Sequence, residues 1–177
     1  MTGQKLKIII SGGGTGGHIF PAIAVAQELR SRLADHESEI MFLGTRNGVE
    51  SFLVPQAGFP IHFIDAAKLK GRSLVEKLCT LIKLPICLGQ TLIYFLRIKP
   101  SLVIGSGGYV SFIAVFAGFL LRKKTFIIEQ NAGPGLTNRI LGHLVHKIFL
   151  TFSVSAKYFN PRKVMVVGNP LRRQIEE

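Results

Sequence analysis

The chain has 177 residues, 47% of them hydrophobic, which is ample for the buried core of one large domain or of a piece of something larger. Lysine and arginine number 22 against 10 acids, a net charge of +12, so the partners expected carry negative charge: nucleic acid, an anionic membrane or phosphorylated substrates. The two cysteines, Cys79 and Cys87, have no metal-ligand spacing and lie in an apolar stretch, which reads as reduced packing residues of a cytosolic protein.

Met1-Thr2-Gly3-Gln4-Lys5 leads straight into an apolar run, so no signal peptide is expected. That run, Lys7–Ser11, suits a buried strand and empties into 12–17, where five of six positions are glycine. A helix follows, its first turn able to hold Pro21, and Ala22, Ala26, Leu29 and Leu33 mark its apolar face. Further strands are predicted at Glu39–Thr45, Ile61–Asp65, Ser101–Gly105, Lys124–Gln130, Lys147–Phe152 and Lys163–Val167. Helical patterns fill Val49–Ala57, Ser73–Arg97, Tyr109–Leu121, Leu136–Val145 and Val154–Tyr158. Continuous apolar strands alternating with helices imply an α/β fold, a doubly wound parallel sheet of Rossmann-like form.

Within this order, 68–99 is both basic and greasy. Seven cations (Lys68, Lys70, Arg72, Lys77, Lys83, Arg97, Lys99) face one acid, Glu76. Leu78, Leu81 and Ile82 flanked by Lys77 and Lys83 suit a helix lying in the headgroup plane of an anionic membrane. Phe116, Phe119 and Leu120 before Arg122-Lys123-Lys124 extend the pattern. A spanning helix is not expected. The uncharged run Leu84–Leu96 is too short, and the longer one, Pro100–Leu121, is broken by Gly105-Ser106-Gly107-Gly108.

Ligands of doubly wound sheets bind beyond the carboxyl ends of the strands, and three loops there are unusual. Gly12–His18 combines a glycine turn, a helix amino terminus fit for phosphate and an imidazole able to move protons at neutral pH. Gly105–Tyr109 is a second glycine turn, and Glu129–Gly135 brings an acid and two amides. Gly12-x-Gly14-x-x-Gly17 satisfies a dinucleotide fingerprint, but the second strand ends Gly44-Thr45-Arg46-Asn47, without an acid for the ribose hydroxyls. Arg46 would suit the 2′-phosphate of NADP, so an NADP-binding domain is one alternative. A lipid- or phosphate-binding module without catalysis is another. No Gly-Lys-Ser/Thr follows the glycines, which excludes a P-loop. No nucleic acid partner is expected, because the basic residues adjoin aliphatic runs instead of alternating with aromatics on a strand face.

Four segments together resemble one family. Gly-Gly-Thr-Gly-Gly-His-Ile-Phe-Pro-Ala at 13–22, Gly-Gly-Tyr-Val-Ser at 107–111, Glu-Gln-Asn-Ala-Gly-Pro-Gly-Leu-Thr-Asn-Arg at 129–139 and Val-Gly-Asn-Pro-Leu-Arg at 167–172 look like the MurG family of peptidoglycan glycosyltransferases. The resemblance implies the amino-terminal half of a GT-B enzyme, an inverting, metal-independent hexosyltransferase moving N-acetylglucosamine from UDP-GlcNAc to lipid I. It implies an acceptor-binding domain over 1–168 and the start of an interdomain linker over 169–177. No cofactor is expected, and the implied location is the cytoplasmic face of the bacterial inner membrane. Position by position, Thr15, Gly16 and Gly17 match the edge of the donor site and its phosphate cradle. Asn131 matches the asparagine on the donor sugar, Arg172 the arginine of the interdomain turn, and His18 the histidine near the acceptor hydroxyl. Gly107, Gly108 and Tyr109 are carried over as substrate-binding. The chain departs from the family at Ile128, where a histidine often stands, which leaves His18 and Glu129 as candidate bases.

Overall fold

The computed structural model describes residues 5–65 and 74–170, with the side chains of 74–83 left aside. Among the described residues the order is β1 (Leu6–Ser11), α1 (Gly16–Arg32), β2 (Ser38–Gly44), α2 (Glu50–Gln56), β3 (Ile61–Phe63), α3 (Leu74–Ile98), β4 (Leu102–Gly105), α4 (Tyr109–Leu120), β5 (Lys124–Glu129), α5 (Leu136–Leu144), β6 (Lys147–Leu150) and β7 (Val164–Val166). Two 3-10 turns, Ser153–Tyr158 and Pro161–Lys163, join β6 to β7. The strands form one sheet in the order β3-β2-β1-β4-β5-β6-β7, parallel at every pairing. The doubly wound expectation therefore holds.

Side-chain alternation splits the strands between two cores. On one face Ile9, Val103, Ile127 and Ile148 pack with Phe95 of α3, Ile113 and Ala117 of α4 and Leu141 of α5. On the other, Ile8, Ile10, Phe42 and Ile128 pack with Ile19, Ala22, Ile23 and Ala26 of α1 and Val54 of α2. Successive residues of one strand thus feed opposite layers, as the period of two requires for a sheet covered on both sides.

The helix after the first strand starts earlier than its apolar stripe suggests. The amides of His18 and Ile19 both donate to the Thr15 carbonyl, and Ile19 is fully buried against the sheet. That burial sets the first turn at Gly16 and leaves Pro21 inside the helix, beyond the first turn expected for it. Strands β3, β6 and β7 are shorter than their apolar runs. Ile64 is buried and its amide still donates to the Gly44 carbonyl, but the residue pairing ends at Phe63, and Phe152 begins the approach to the first 3-10 turn.

Candidate active site

Chain order runs outward in both directions from the β1–β4 pair, so the crevice of the sheet opens there, above Ser11 and Gly105. The two glycine loops that leave these strands touch. The Gly13 amide donates to the Gly107 carbonyl at 3.4 Å, and a Cβ on Gly108 would stand 2.4 Å from the Gly13 carbonyl oxygen. Ser106 Oγ donates to the His18 carbonyl at 2.8 Å, and a Cβ on Gly12 would lie only 1.9 Å from that Oγ. Gly14, Gly107 and Gly108 all hold positive φ (84°, 109° and 85°). Gly12, Gly13 and Gly108 therefore serve loop-to-loop packing, and the amides left for a ligand are those at the start of α1.

His18 lies against the second loop. Its ring covers Gly107 so closely that a Cβ there would stand 2.6 Å from Nδ1. That nitrogen is buried and has no hydrogen-bond partner among the described residues. The side chain does not cap α1, whose N-cap Thr15 likewise makes no capping bond.

The third loop is organised by Glu129, 1% exposed at the end of β5. Its Oε1 accepts from the Asn131 backbone amide (2.9 Å) and from Asn131 Nδ2 (3.0 Å), while Oε2 accepts from Asn138 Nδ2 (3.0 Å). Ser155 Oγ donates to the Asn131 and Ala132 carbonyls from behind. Gln130 Nε2 donates to the Ser106 carbonyl at 2.9 Å, tying this loop to the second glycine turn. A cleft of about 330 Å³ lies between α1 and these loops, lined by Gly16, Gly17, Gln130, Asn131, Thr151 and Asn169 with Phe20, Pro21, Phe152 and Pro170.

The structure thus brings Gly16, Gly17 and Asn131 together on one cleft, and Thr15, exposed, directly precedes Gly16. His18 belongs to the adjoining face over Gly107. One expectation is corrected, that for Tyr109. Glu129 lies out of solvent and accepts three hydrogen bonds from Asn131 and Asn138, so the geometry gives it the holding of its loop. Tyr109 is half-buried, packs against the core and does not line the cleft. Its ring packs into the layer of α3, α4 and α5, and burial, then the neighbouring Cys87 thiol, pushes its hydroxyl up to about 12. Arg172 lies outside the described residues, as do the side chains of Lys77, Leu78, Leu81, Ile82 and Lys83.

Glu50 was not singled out by sequence reasoning. It is 1% exposed and accepts from the Gly14 amide (3.3 Å), the Thr45 amide (3.1 Å) and Thr45 Oγ1 (2.7 Å). Glu50 follows the second strand closely, but the dinucleotide pattern asks for an acid at the strand end itself, where Thr45 and Arg46 stand. Arg46, the residue of the NADP alternative, is exposed and lies over Phe63, with its guanidinium carbon 5.1 Å from the ring centroid.

The fold and the crevice define the class: the amino-terminal Rossmann-like domain of a GT-B architecture. Residues 8–150 match the model of the glycosyltransferase family 28 N-terminal domain, and the chain belongs to that family. A UDP-N-acetylglucosamine--N-acetylmuramyl-(pentapeptide) pyrophosphoryl-undecaprenol N-acetylglucosamine transferase of Syntrophus aciditrophicus is 44% identical over 169 residues, covering 96% of this chain and 46% of that protein. The protein of the same name from Myxococcus xanthus is 41% identical over 170 residues, 96% of this chain and 44% of its own length. The crystal structure of Acinetobacter baumannii MurG is similar at a TM-score of 0.78 and 29% identity, over 95% of this chain and 47% of that one. A Staphylococcus aureus MnaA–UDP structure shares the fold at a TM-score of 0.69 and 14% identity, over 94% of this chain and 46% of its own. The chain spans about half the length of the curated relatives it matches.

Proposed function

We propose that this domain forms the acceptor-binding half of an inverting transferase that moves N-acetylglucosamine from UDP-GlcNAc to lipid I, giving lipid II. The observation that carries the reading is the adjacency, at the start of α1, of a cleft lined by Gly16, Gly17 and Asn131 with a histidine lodged on Gly107. The matching names of relatives above 40% identity support it. The acceptor's 4-hydroxyl loses its proton to His18 as its oxygen bonds to C1 of the donor sugar, and the C1–O bond to UDP breaks on the opposite face. Charge that builds on the departing diphosphate meets the amides and positive dipole end of α1. Glu129 acts as a positioning residue, holding Asn131 toward the sugar.

A lipid-linked acceptor requires the domain to meet a bilayer. No helix among the described residues is long and apolar enough to cross one. Instead α3 and α4, packed together, expose Ile86, Ile93 and Leu96 from one and Phe119 and Leu120 from the other. Arg97, Lys99, Arg122 and Lys124, also exposed, accompany them. This mixture suits reversible binding to the anionic cytoplasmic surface of the inner membrane.

The reading is tested by steady-state kinetics of the full-length protein with UDP-GlcNAc and a soluble lipid I analogue. His18→Ala is expected to lower turnover by about a hundredfold or more, the scale of one general base, with donor affinity little changed. Unchanged turnover would remove His18 from the chemistry.

A further inference from the structure

Glu50 is the buried acid that the proposed mechanism does not use. Its side chain is wrapped by three segments, each contributing a glycine at the point of contact. A Cβ on Gly13 of the first loop would stand 2.8 Å from the carboxylate, one on Gly44 at the end of β2 2.8 Å from its Cγ, and one on Gly48 before α2 2.1 Å from its oxygens. Among the described residues no lysine or arginine pairs with it. Its compensation is three hydrogen bonds, one from the Gly14 amide to Oε2 and two from Thr45 to Oε1. A buried carboxylate held by neutral donors and enclosed by glycines is costly to keep as mere filling.

The direction of these bonds shows what the arrangement achieves. The Gly13 amide is turned to the Gly107 carbonyl and the Gly14 amide to Glu50, both away from the cleft. Gly14, at φ 84°, then reverses the backbone, and Gly16 and Gly17 line the cleft. We propose that Glu50 is a positioning residue, which anchors the Gly14 amide and thereby aims the first amides of α1 at the leaving diphosphate. This inference rests on the transferase reading for its ligand, but not for its geometry. The carboxylate form matters, because every group facing it is a donor. A glutamine keeps one oxygen, which can serve Thr45 or Gly14 but not both, and its NH2 then meets a donor.

The test has two arms. In the full-length protein, Glu50→Gln is expected to lower kcat about tenfold or more while KM for UDP-GlcNAc changes less, as a displaced amide cradle demands. The control is Thr125→Val, which removes a buried hydroxyl beside His146 at the far end of β5. Should Glu50→Gln slow transfer no more than this control at equal loss of Tm, Glu50 is only a brace and the proposal falls. In the second arm, amide spectra of the 15N-labelled chain are expected to show the Gly14, Gly16 and Gly17 resonances moving in Glu50→Gln and staying in Thr125→Val. Unmoved Gly16 and Gly17 resonances would overturn the proposal whether or not the protein transfers sugar. A wild type without transferase activity would instead sink the functional reading alone. Gly13→Ala, whose methyl presses on the same carboxylate, is the second variant should Glu50→Gln fail to fold, and it is expected to move the same resonances.

Discussion

Tyr109 shows how far a residue's neighbours decide its role. It follows the second glycine turn directly, where a ligand contact would be natural, yet its hydroxyl is buried beside the Cys87 thiol. Burial first, and the Cys87 thiol second, raise it from 10.0 to about 12. A folded value above the unfolded one favours the neutral phenol in the native state. The associated stability is intact below about pH 10 and is lost as pH rises toward 12. Urea midpoints measured from pH 9 to 12 are expected to fall more steeply for the wild type than for Tyr109→Phe. Parallel curves would show that the hydroxyl ionises as freely in the fold as outside it. Glu129 makes the complementary point. An acid at a strand end is legible as chemistry, but only the three donors around it show that it holds a loop.

At the scale of elements, the glycine turns were legible by position and only in part by purpose. Glycine next to a helix amino terminus suggests a ligand approaching the backbone. Here the close approach is between the two loops themselves, with Gly108 against the Gly13 carbonyl and Gly12 against Ser106. Gly108→Ala therefore faces two penalties, a positive φ of 85° and a backbone oxygen 2.4 Å from the new methyl. The expected cost is about 2 kcal/mol or more, read as a lowered urea midpoint at unchanged m-value. A loss under about 0.5 kcal/mol, the usual range of a surface change, would mean that the loops are not packed as described. The strand and helix order was readable because each apolar run has its own period. Element ends were not, because they depend on what the run packs against, as Ile19 shows at the start of α1.

At the scale of the molecule, net charge and exposed aliphatics work together. The basic, apolar stretch 68–99 points to a membrane, but the side chains of Lys77, Leu78, Leu81, Ile82 and Lys83 are outside the described residues. Further along the same helix Ile93 is 54% and Leu96 60% exposed. Burying such side chains contributes ~25 cal/mol per Å², and each nearby cation adds ~1 kcal/mol at an anionic surface. Neither alone holds a protein firmly. Vesicles of phosphatidylglycerol are expected to sediment this chain at low salt, less at high salt, and less still with Leu96→Glu. Equal recovery on neutral phosphatidylcholine, or indifference to Leu96→Glu, would place the contact elsewhere.

The parallel, doubly wound sheet and the three strand-end loops were decided by the sequence alone, because apolar periodicity and glycine position are local properties of a chain. The family followed from four short motifs in order, and the match over residues 8–150 agrees. What only the tertiary structure decided was which groups remain available once the loops have packed. The Gly13 and Gly14 amides are taken up by Gly107 and Glu50, Glu129 is engaged by Asn131 and Asn138, and Tyr109 packs against the core. Hydrogen-bond capacity is finite, and whether a donor or acceptor is still unspent depends on partners tens of residues away, which no local pattern records.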